Sequence, residues 1–115
     1  MPVLVVATNL KKDQIPENFL REATKLIAVE LKKPESYVLV QVNPDQLMSF
    51  GGSQDPCANI SLSSIGVVSD DKNRKMAPKL SNFIEQHLGI KQDRFYINVH
   101  DINRAWCIWN GSTFG

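Results

Sequence analysis

The feature that most constrains the fold of this chain is a strand-helix-strand pattern that occurs twice. In the first copy, the apolar run from Val3 to Ala7 predicts a strand. The apolar stripe between Phe19 and Leu31 predicts a helix with Pro16 in its first turn, and Tyr37 to Val42 predicts a second strand. Two parallel strands need a crossover connection of this kind, which is almost always right-handed. The first copy is therefore predicted to be a β-α-β unit.

The second copy repeats this order. Asn59 to Val68 predicts the third strand, Ser69 is expected to cap a second helix, and Phe95 to His100 predicts the fourth strand. Tyr37 and Tyr96 are predicted to occupy equivalent places in the two copies. Together the copies predict one α/β domain over residues 1–115, in which two helices lie on one face of a four-stranded sheet.

Three shorter stretches lie outside the two copies. Leu47 to Phe50 and Trp106 to Trp109 are predicted to form short strands, and Asn110 to Gly115 is predicted to be a tail. The Gly and Pro residues between positions 51 and 56 predict an irregular loop.

The second face of the sheet is expected to need a cover from outside the chain. The segments Val3 to Val6 and Val38 to Val42 lack the apolar-polar alternation of a strand with one face in water. Two helices cover only one face of four strands. We therefore expect another copy of the chain to cover the other face in a closed homo-oligomer.

Composition excludes several classes of protein. With 43% hydrophobic residues, 22% charged residues and a formal net charge of +1, the chain is typical of neither a disordered protein nor a nucleic-acid-coating one. Four basic residues do cluster in the second helix, and we interpret them as a solvated face in preference to a phosphate-binding patch. They are Lys72, Arg74, Lys75 and Lys79.

Localisation and metal content are also constrained. No stretch reaches the length of a membrane span and the N-terminus does not resemble a signal peptide, so we expect a cytoplasmic protein that is secreted only by a non-classical route. Cys57 and Cys107 form no CxxC motif, and His87 and His100 have no partner at ligand spacing. We expect no metal and no other cofactor.

The first two residues, Met1 and Pro2, directly precede the first strand. If Met1 is removed, Pro2 carries a secondary amine at the start of a buried segment. Burial and a nearby cation both lower the pKa of an amine, which would make this one a general base near neutral pH. The alternative is that Met-Pro has no chemical role, because many chains begin this way.

Other polar residues allow a structural and a functional interpretation. Lys33 is either a cation that stabilises the end of the first helix or a ligand-binding group, which near Pro2 would also lower the pKa of the amine. The face of the sheet without helices is expected to carry polar and aromatic side chains that form either a subunit contact or the lining of a site. They are Ser61, Ser63, Tyr96, Asn98 and His100.

Six segments, spread over the whole chain, together resemble the macrophage migration inhibitory factor family. They are Met1-Pro2, Lys33-Pro34 with Tyr37, residues 43–53 (NPDQLMSFGGS), Ser64-Ile65-Gly66, residues 93–98 (DRFYIN) and residues 109–114 (WNGSTF). D-dopachrome tautomerase is a sister family with the same fold, but residues 44–53 and the Tyr96/Asn98 pair look closer to the first family.

The resemblance implies a homotrimer with its sheets around a central channel and its helices outside. It also implies a keto-enol tautomerase of the phenylpyruvate or dopachrome type, which needs no cofactor and uses Pro2 as its base in a pocket between subunits. Lys33 and the backbone of Ile65 match substrate-contacting positions of one subunit, and Tyr96 and Asn98 match residues that a neighbour supplies. The aromatic pocket lining is matched by Tyr37, Trp109 and Phe114.

The chain departs from the family pattern at four places. Ile60 replaces the second cysteine of a CxxC motif, so thiol-disulfide activity is not carried over. Ser63 and Cys107 replace a histidine and a valine of the mammalian proteins at the pocket, which puts the substrate preference in question. His100 replaces a tyrosine of the central channel, which puts channel gating and any linked receptor signalling in question.

These inferences lead to one expected function and two alternatives. We expect a tautomerase that acts on small aromatic keto acids, with cytokine-like extracellular signalling through a cell-surface receptor. The first alternative is a signalling protein whose pocket is vestigial or a receptor contact, with little physiological catalysis. The second is a trimeric structural protein.

Overall fold

Four strands form one mixed sheet, and two helices cover one of its faces. The computed structural model describes residues 1–115. The strands of the sheet are β1 (Val3–Thr8), β2 (Leu39–Asn43), β3 (Ala58–Ser64) and β4 (Phe95–Asp101), and the helices are α1 (Phe19–Leu31) and α2 (Asp70–Leu88). The predicted α/β fold with two β-α-β units is confirmed. Neither helix combines the length and apolarity that crossing a membrane requires.

The order of the strands in the sheet is β2-β1-β3-β4. Each unit contributes a parallel pair, β1 with β2 and β3 with β4, and the antiparallel pair β1-β3 joins the units at the centre. Val3 is paired with Leu39 on one side and with Ser63 on the other. Strands β2 and β4 are therefore edge strands of the isolated chain, with backbone groups free to pair with another molecule.

The core lies between the sheet and the two helices. Alternate residues of β1, such as Leu4 and Val6, belong to one cluster of 16 buried side chains that both helices share. The helices also contact each other, since the ring centroids of Phe19 and Phe83 are 5.5 Å apart. Burying this apolar stripe is what holds the helices on one face, because helices of this length are only marginally stable alone.

The helix boundaries follow local sequence signals with one exception. The Oγ of Ser69 accepts a hydrogen bond from the Lys72 N–H at 3.2 Å, which confirms the predicted cap of α2. Lys32 and Gly89 end the two helices in the left-handed region, with φ of 53° and 69°. The predicted place of Pro16 in the first turn of α1 is wrong: α1 begins at Phe19, whose N–H closes a separate turn on the Pro16 carbonyl at 3.0 Å.

The predicted equivalence of Tyr37 and Tyr96 is also wrong. Tyr37 does not begin β2 but ends a short 3₁₀ helix, Glu35–Tyr37, in which its N–H donates to the Pro34 carbonyl. The second unit has a 3₁₀ helix at the same place, Gln92–Arg94. The residue equivalent to Tyr37 is therefore Arg94, and Tyr96 lies inside β4.

Several predicted boundaries differ from the structure near the loops and the C-terminus. Strand β3 ends at Ser64 instead of continuing to Val68, because Gly66 has a φ of 76° that no strand allows. Between residues 47 and 50, only Phe50 forms a β-bridge, to Ser53.

The predicted strand from Trp106 to Trp109 is shorter than expected: only β5 (Ile108–Trp109) is a strand, because Trp106 ends a 3₁₀ helix. The predicted tail instead contains β6 (Ser112–Thr113), which pairs with β5 in a hairpin. Asn110 and Gly111 connect these strands with φ of 52° and 84°. Positive φ at both central residues is the geometry of a type I′ turn, which Asn-Gly favours.

Candidate functional site

A cavity of about 290 Å³ lies where the chain begins. Its lining comes from both ends of the chain and from the segments that precede β2 and follow β3: Met1, Lys33, Pro34, Tyr37, Ile65, Arg104 and Phe114. The sheet brings these segments together, because Val3 lies between Leu39 near the start of β2 and Ser63 near the end of β3. The cavity is thus a direct consequence of placing the first strand at the centre.

Pro2 is fixed at the boundary between this cavity and the sheet. Its carbonyl accepts a hydrogen bond from the Leu39 N–H at 3.0 Å, and its side chain is fully buried. The amino group one residue earlier, on Met1, borders the cavity. Removal of Met1 would transfer the free amine to a ring that the sheet already holds in place.

The electrostatic environment favours an uncharged amine. The pKa of the Met1 amino group is lowered below its ordinary value, first by burial and second by the positive charge of Lys33, while Cys107 acts in the opposite direction. A lower pKa leaves a larger fraction of the amine unprotonated near neutral pH. This is the property that a general base requires.

Lys33 owes its place in the cavity to the end of α1. Because Lys32 adopts a left-handed conformation, the chain turns away from the helix axis at this point. The Lys33 N–H still donates to the Ala28 carbonyl at 3.0 Å. Its side chain lines the cavity, so the role of Lys33 is not confined to the helix end.

Three aromatic rings cluster at one side of the cavity, where Tyr37 and Phe114 line it and Trp109 packs against both. Tyr37 lies edge-on to Trp109 and to Phe114, with ring centroids 5.5 Å and 6.4 Å apart, and the rings of Trp109 and Phe114 are stacked at 6.2 Å. The C-terminal hairpin supplies Trp109 and precedes Phe114 directly. The three residues that the resemblance assigned to an aromatic lining are therefore in mutual contact.

Arg104 is a cavity residue that sequence reasoning did not single out. It begins a 3₁₀ helix, Arg104–Trp106, and exchanges two hydrogen bonds of 3.1 Å with Phe114, one from its Nε to the Phe114 carbonyl and one from the Phe114 N–H to its own carbonyl. These bonds fix the end of the chain against the cavity. No spacing or motif in the sequence indicated this contact, which depends on the return of the C-terminal hairpin.

Tyr96 and Asn98 lie elsewhere in the isolated chain. Both are on β4, which β3 separates from β1, and they line a different cavity of about 410 Å³ beside α2. The Tyr96 ring is 5.0 Å from that of Phe50 and remains 67% exposed. Within one chain, the structure does not bring these two residues to Pro2.

The substituted positions have distinct environments. Ser63 is half-buried, next to Val3 on β1 and to His100 on β4. His100 is exposed near the end of β4. Cys57 is buried and Cys107 half-buried, and both are free thiols. No three His, Cys, Asp or Glu side chains come together as metal ligands.

The fold and the cavity define a class: small α/β proteins of duplicated β-α-β units with a cationic, aromatic cavity at the N-terminus of a central strand. Comparison with known proteins identifies the family. All 115 residues match the family model described as macrophage migration inhibitory factor (MIF). The chain belongs to this family.

Individual relatives agree with this assignment. The chain is 46% identical over 114 residues to the macrophage migration inhibitory factor of Rattus norvegicus, with 99% of both chains covered. It is 44% identical over 115 residues to the homolog from Brugia malayi, with both chains fully covered.

Solved structures also match over nearly the whole length. The factor from Trichinella spiralis superimposes with a TM-score of 0.95 at 39% identity, covering 96% of this chain and 98% of the other. The homologue from Prochlorococcus marinus gives a TM-score of 0.89 at 30% identity, covering 98% and 99%.

Proposed function

We propose that this protein is a keto-enol tautomerase, that Met1 is removed, and that the amine of Pro2 is the general base. The observation that supports this most directly is that the partly buried Met1 amino group, one residue before Pro2, has a lowered pKa and borders the same cavity as Lys33. The proposed substrates are small aromatic keto acids such as phenylpyruvate. The reaction moves one proton within the substrate and needs no cofactor.

In this mechanism the amine of Pro2 takes a proton from the carbon next to the carbonyl. The electron pair of the broken C–H bond forms the enolate double bond, and the negative charge moves to the oxygen. Lys33 stabilises that charge, and the proton returns from Pro2 to the oxygen to give the enol. The aromatic cluster of Tyr37, Trp109 and Phe114 holds the ring of the substrate and limits the access of water.

Arg104 and Ile65 complete the proposed substrate contacts. Both line the cavity, and only the Nε of Arg104 is occupied, by the Phe114 carbonyl. The remaining guanidinium nitrogens suit a carboxylate, which Arg binds through two parallel hydrogen bonds. The backbone of Ile65 is the other proposed contact, as the family resemblance implies.

We further propose that the working unit is a homotrimer, in which Tyr96 and Asn98 of a neighbour close the cavity. Support comes from the face of the sheet without helices, from the two free edge strands, and from large apolar side chains that the isolated chain leaves exposed. Leu39, Leu47 and Ile108 are among them. Solution scattering would contradict the proposal by showing a monomer.

The test of the base is the rate of phenylpyruvate tautomerisation by the Pro2→Gly variant. We expect kcat/KM to fall by about 10²- to 10⁴-fold, because a positioned general base contributes a factor of this size. Mass spectrometry must first show that both proteins have lost Met1.

Pro44→Gly is a matched control, because Pro44 lies in the turn after β2 and not in the cavity. Its activity should stay within about twofold of the unmodified protein. Equal rates for Pro2→Gly and the unmodified protein would exclude Pro2 as the base.

Arg104→Gln tests the carboxylate contact. Loss of an exposed charge-assisted hydrogen bond should raise the KM for phenylpyruvate about three- to tenfold with little change in kcat. The methyl ester of phenylpyruvate lacks the carboxylate charge, so its KM should change much less.

The control is Arg21→Gln, on the exposed surface of α1, which should leave both KM values unchanged. An equal rise of KM for acid and ester in Arg104→Gln would assign Arg104 a packing role instead.

A second proposed function is cytokine-like signalling, supported by membership of the macrophage migration inhibitory factor family. We propose a protein present in the cytoplasm and released by a non-classical route to meet a cell-surface receptor. Added to cultured macrophages, the purified protein should reduce their migration. If Pro2→Gly loses turnover but keeps this effect, signalling does not depend on catalysis, and an absence of effect for both proteins would contradict the signalling proposal.

A further inference from the structure

A second cavity, of about 400 Å³, lies between the last turn of α1 and the first half of α2. We call it the lysine groove, and its lining is Val29, Glu30, Leu31, Lys32, Val67, Lys72, Lys75, Met76 and Lys79. It shares no residue with the cavity at the N-terminus. We propose that the lysine groove binds a small organic phosphate that carries two or more negative charges. This proposal replaces the solvated face that the sequence alone favoured for Lys72, Lys75 and Lys79.

The charges in the groove are not balanced within the chain. Four lysines and one glutamate line it. Glu30 lies 3.4 Å from the Nζ of Lys79, and its side chain is only 14% exposed. The other three lysines, Lys32, Lys72 and Lys75, make no ion pair.

The spacing on α2 brings these like charges together. Lys72, Lys75 and Lys79 are separated by three and four residues, so they follow one another along a single face of the helix. Like charges at this spacing destabilise a helix by a few tenths of a kcal/mol per pair. An anion bound between them would remove this repulsion and gain a contact with each ammonium group.

Lys32 gives an independent indication. It has a φ of 53°, a conformation that is disfavoured by about 1 to 2 kcal/mol for a residue with a Cβ atom. Gly89 occupies the equivalent place after α2, where glycine adopts this conformation without that cost. A lysine at a position better suited to glycine, without an ion pair of its own, is consistent with a contact to a ligand.

The apolar floor of the groove indicates that the ligand has an organic part and is not a bare inorganic ion. Leu31 and Met76 are buried beneath it, and Val29 at its rim is 71% exposed. A groove of this volume lies in the usual range of small-molecule sites, which combine apolar surface with a few charged groups. A phosphate ester with an apolar or aromatic body would use both parts.

The surroundings favour a small ligand over an extended polyanion. Asp70 and Asp71 directly precede Lys72, and Arg74 is already paired with Asp71 at 3.0 Å. An extended nucleic acid needs a continuous track of cations, whereas here acidic residues interrupt it. The formal net charge of the whole chain is only +1.

The test is isothermal titration calorimetry with ADP, inorganic phosphate and adenosine as probes, in the absence of divalent cations. We expect ADP to bind saturably with one site per chain, phosphate to bind more weakly, and adenosine not to bind detectably. Affinity should fall as the salt concentration rises, because the contacts are ionic.

The double variant Lys72→Gln/Lys75→Gln should weaken ADP binding by at least about tenfold. The double variant Lys25→Gln/Lys91→Gln is the matched control, because it removes the same number of charges outside the groove. It should change the affinity less than about twofold. Circular dichroism should show that all variants are folded. The tautomerisation rate should be the same in all of them, because the groove is separate from the N-terminal cavity.

Three results would overturn the proposal: no saturable binding of ADP, an equal loss of affinity in the control variant, or binding of adenosine as strong as that of ADP. Tighter binding of a DNA oligonucleotide that depends on the same two lysines would also overturn it, since the partner would then be a polyanion. None of these results bears on Pro2 as the base, so the two proposals fail separately.

Discussion

The two β-α-β units share a backbone plan but carry different side chains at equivalent positions. In both units a helix ends in a left-handed residue, and a short 3₁₀ helix leads into the second strand. The left-handed residue is Lys32 in one unit and Gly89 in the other. The last residue of the 3₁₀ helix is Tyr37 in one and Arg94 in the other.

Tyr37 and Arg94 show how one backbone position supports two roles. Tyr37 contributes a ring to the wall of the N-terminal cavity. Arg94 instead fixes the loop before β3, because its guanidinium donates to four backbone carbonyls and lies 5.7 Å from the centre of the Phe50 ring. The carbonyls belong to Phe50, Ser53, Asp55 and Pro56.

The two ends of the helix pair also differ from each other, because one end is filled by side chains and the other is open. At one end, the start of α1 meets the last turn of α2, and aromatic rings fill the space, with the centroids of Phe83 and His87 4.1 Å apart and Phe19 beside them. At the other end lies the open lysine groove. The duplicated plan therefore specifies the scaffold, and the sites arise where the two units have diverged.

The largest expected effect on stability concerns the filled end of the helix pair. Phe19→Ala should lower the free energy of unfolding by about 3 to 5 kcal/mol, because it removes a fully buried ring and leaves a cavity. Val29→Ala at the open end should change it by less than about 0.5 kcal/mol, since Val29 is mostly exposed. Urea unfolding measures both, and similar losses would show that the two ends are packed alike.

Arg94→Gln should cost about 2 kcal/mol of unfolding free energy. The substitution removes hydrogen bonds from a charged group to several carbonyls, although partial exposure of the loop reduces the loss. Tyr37→Leu should instead raise the KM for phenylpyruvate and change stability little. If Tyr37→Leu proved the more destabilising of the two, the division of roles between these equivalent positions would be wrong.

Exchanging the residues at the two left-handed positions should change the free energy of unfolding by a smaller amount, in opposite directions at the two sites. Lys32→Gly should raise the free energy of unfolding by about 0.5 to 1 kcal/mol, and Gly89→Lys should lower it by about 1 kcal/mol. Thermal unfolding in low-phosphate buffer would measure both shifts. A destabilised Lys32→Gly variant would mean that the left-handed conformation of Lys32 carries no strain.

The smallest expected effect is a shift in pH dependence. Burial and Lys33 lower the pKa of the Met1 amino group. We expect the same two causes to act on the Pro2 amine after Met1 is removed, so that its unprotonated form predominates down to a lower pH than in a free peptide. The acidic limb of the kcat/KM profile should therefore lie below the ordinary pKa of such an amine and move to higher pH in Lys33→Gln. An unmoved limb would show that the charge of Lys33 does not act on the amine, and Lys25→Gln serves as the control.

Local sequence signals predicted the elements of the fold but not all of their ends. The apolar stripes and the Ser69 cap were sufficient to predict α1 and α2, because these signals depend only on residues a few positions apart. Two predicted ends were wrong. Val68 is not part of β3, because the turn at Gly66 ends the strand earlier, and Pro16 is not in α1, because a separate turn precedes the helix. Asn110-Gly111 was a clear hairpin signal that the prediction of a tail overlooked.

The sequence by itself determined the duplicated β-α-β plan and identified Pro2 and Lys33 as candidate site residues, since each of these inferences follows from neighbouring residues. Only the tertiary structure decided that Arg104 joins the N-terminal cavity, that Tyr96 and Asn98 are remote from it within one chain, and that four lysines face a groove. The physical reason is that these positions depend on how segments far apart in the sequence pack against one sheet. The spacing of residues along the chain does not specify how close such segments come in space.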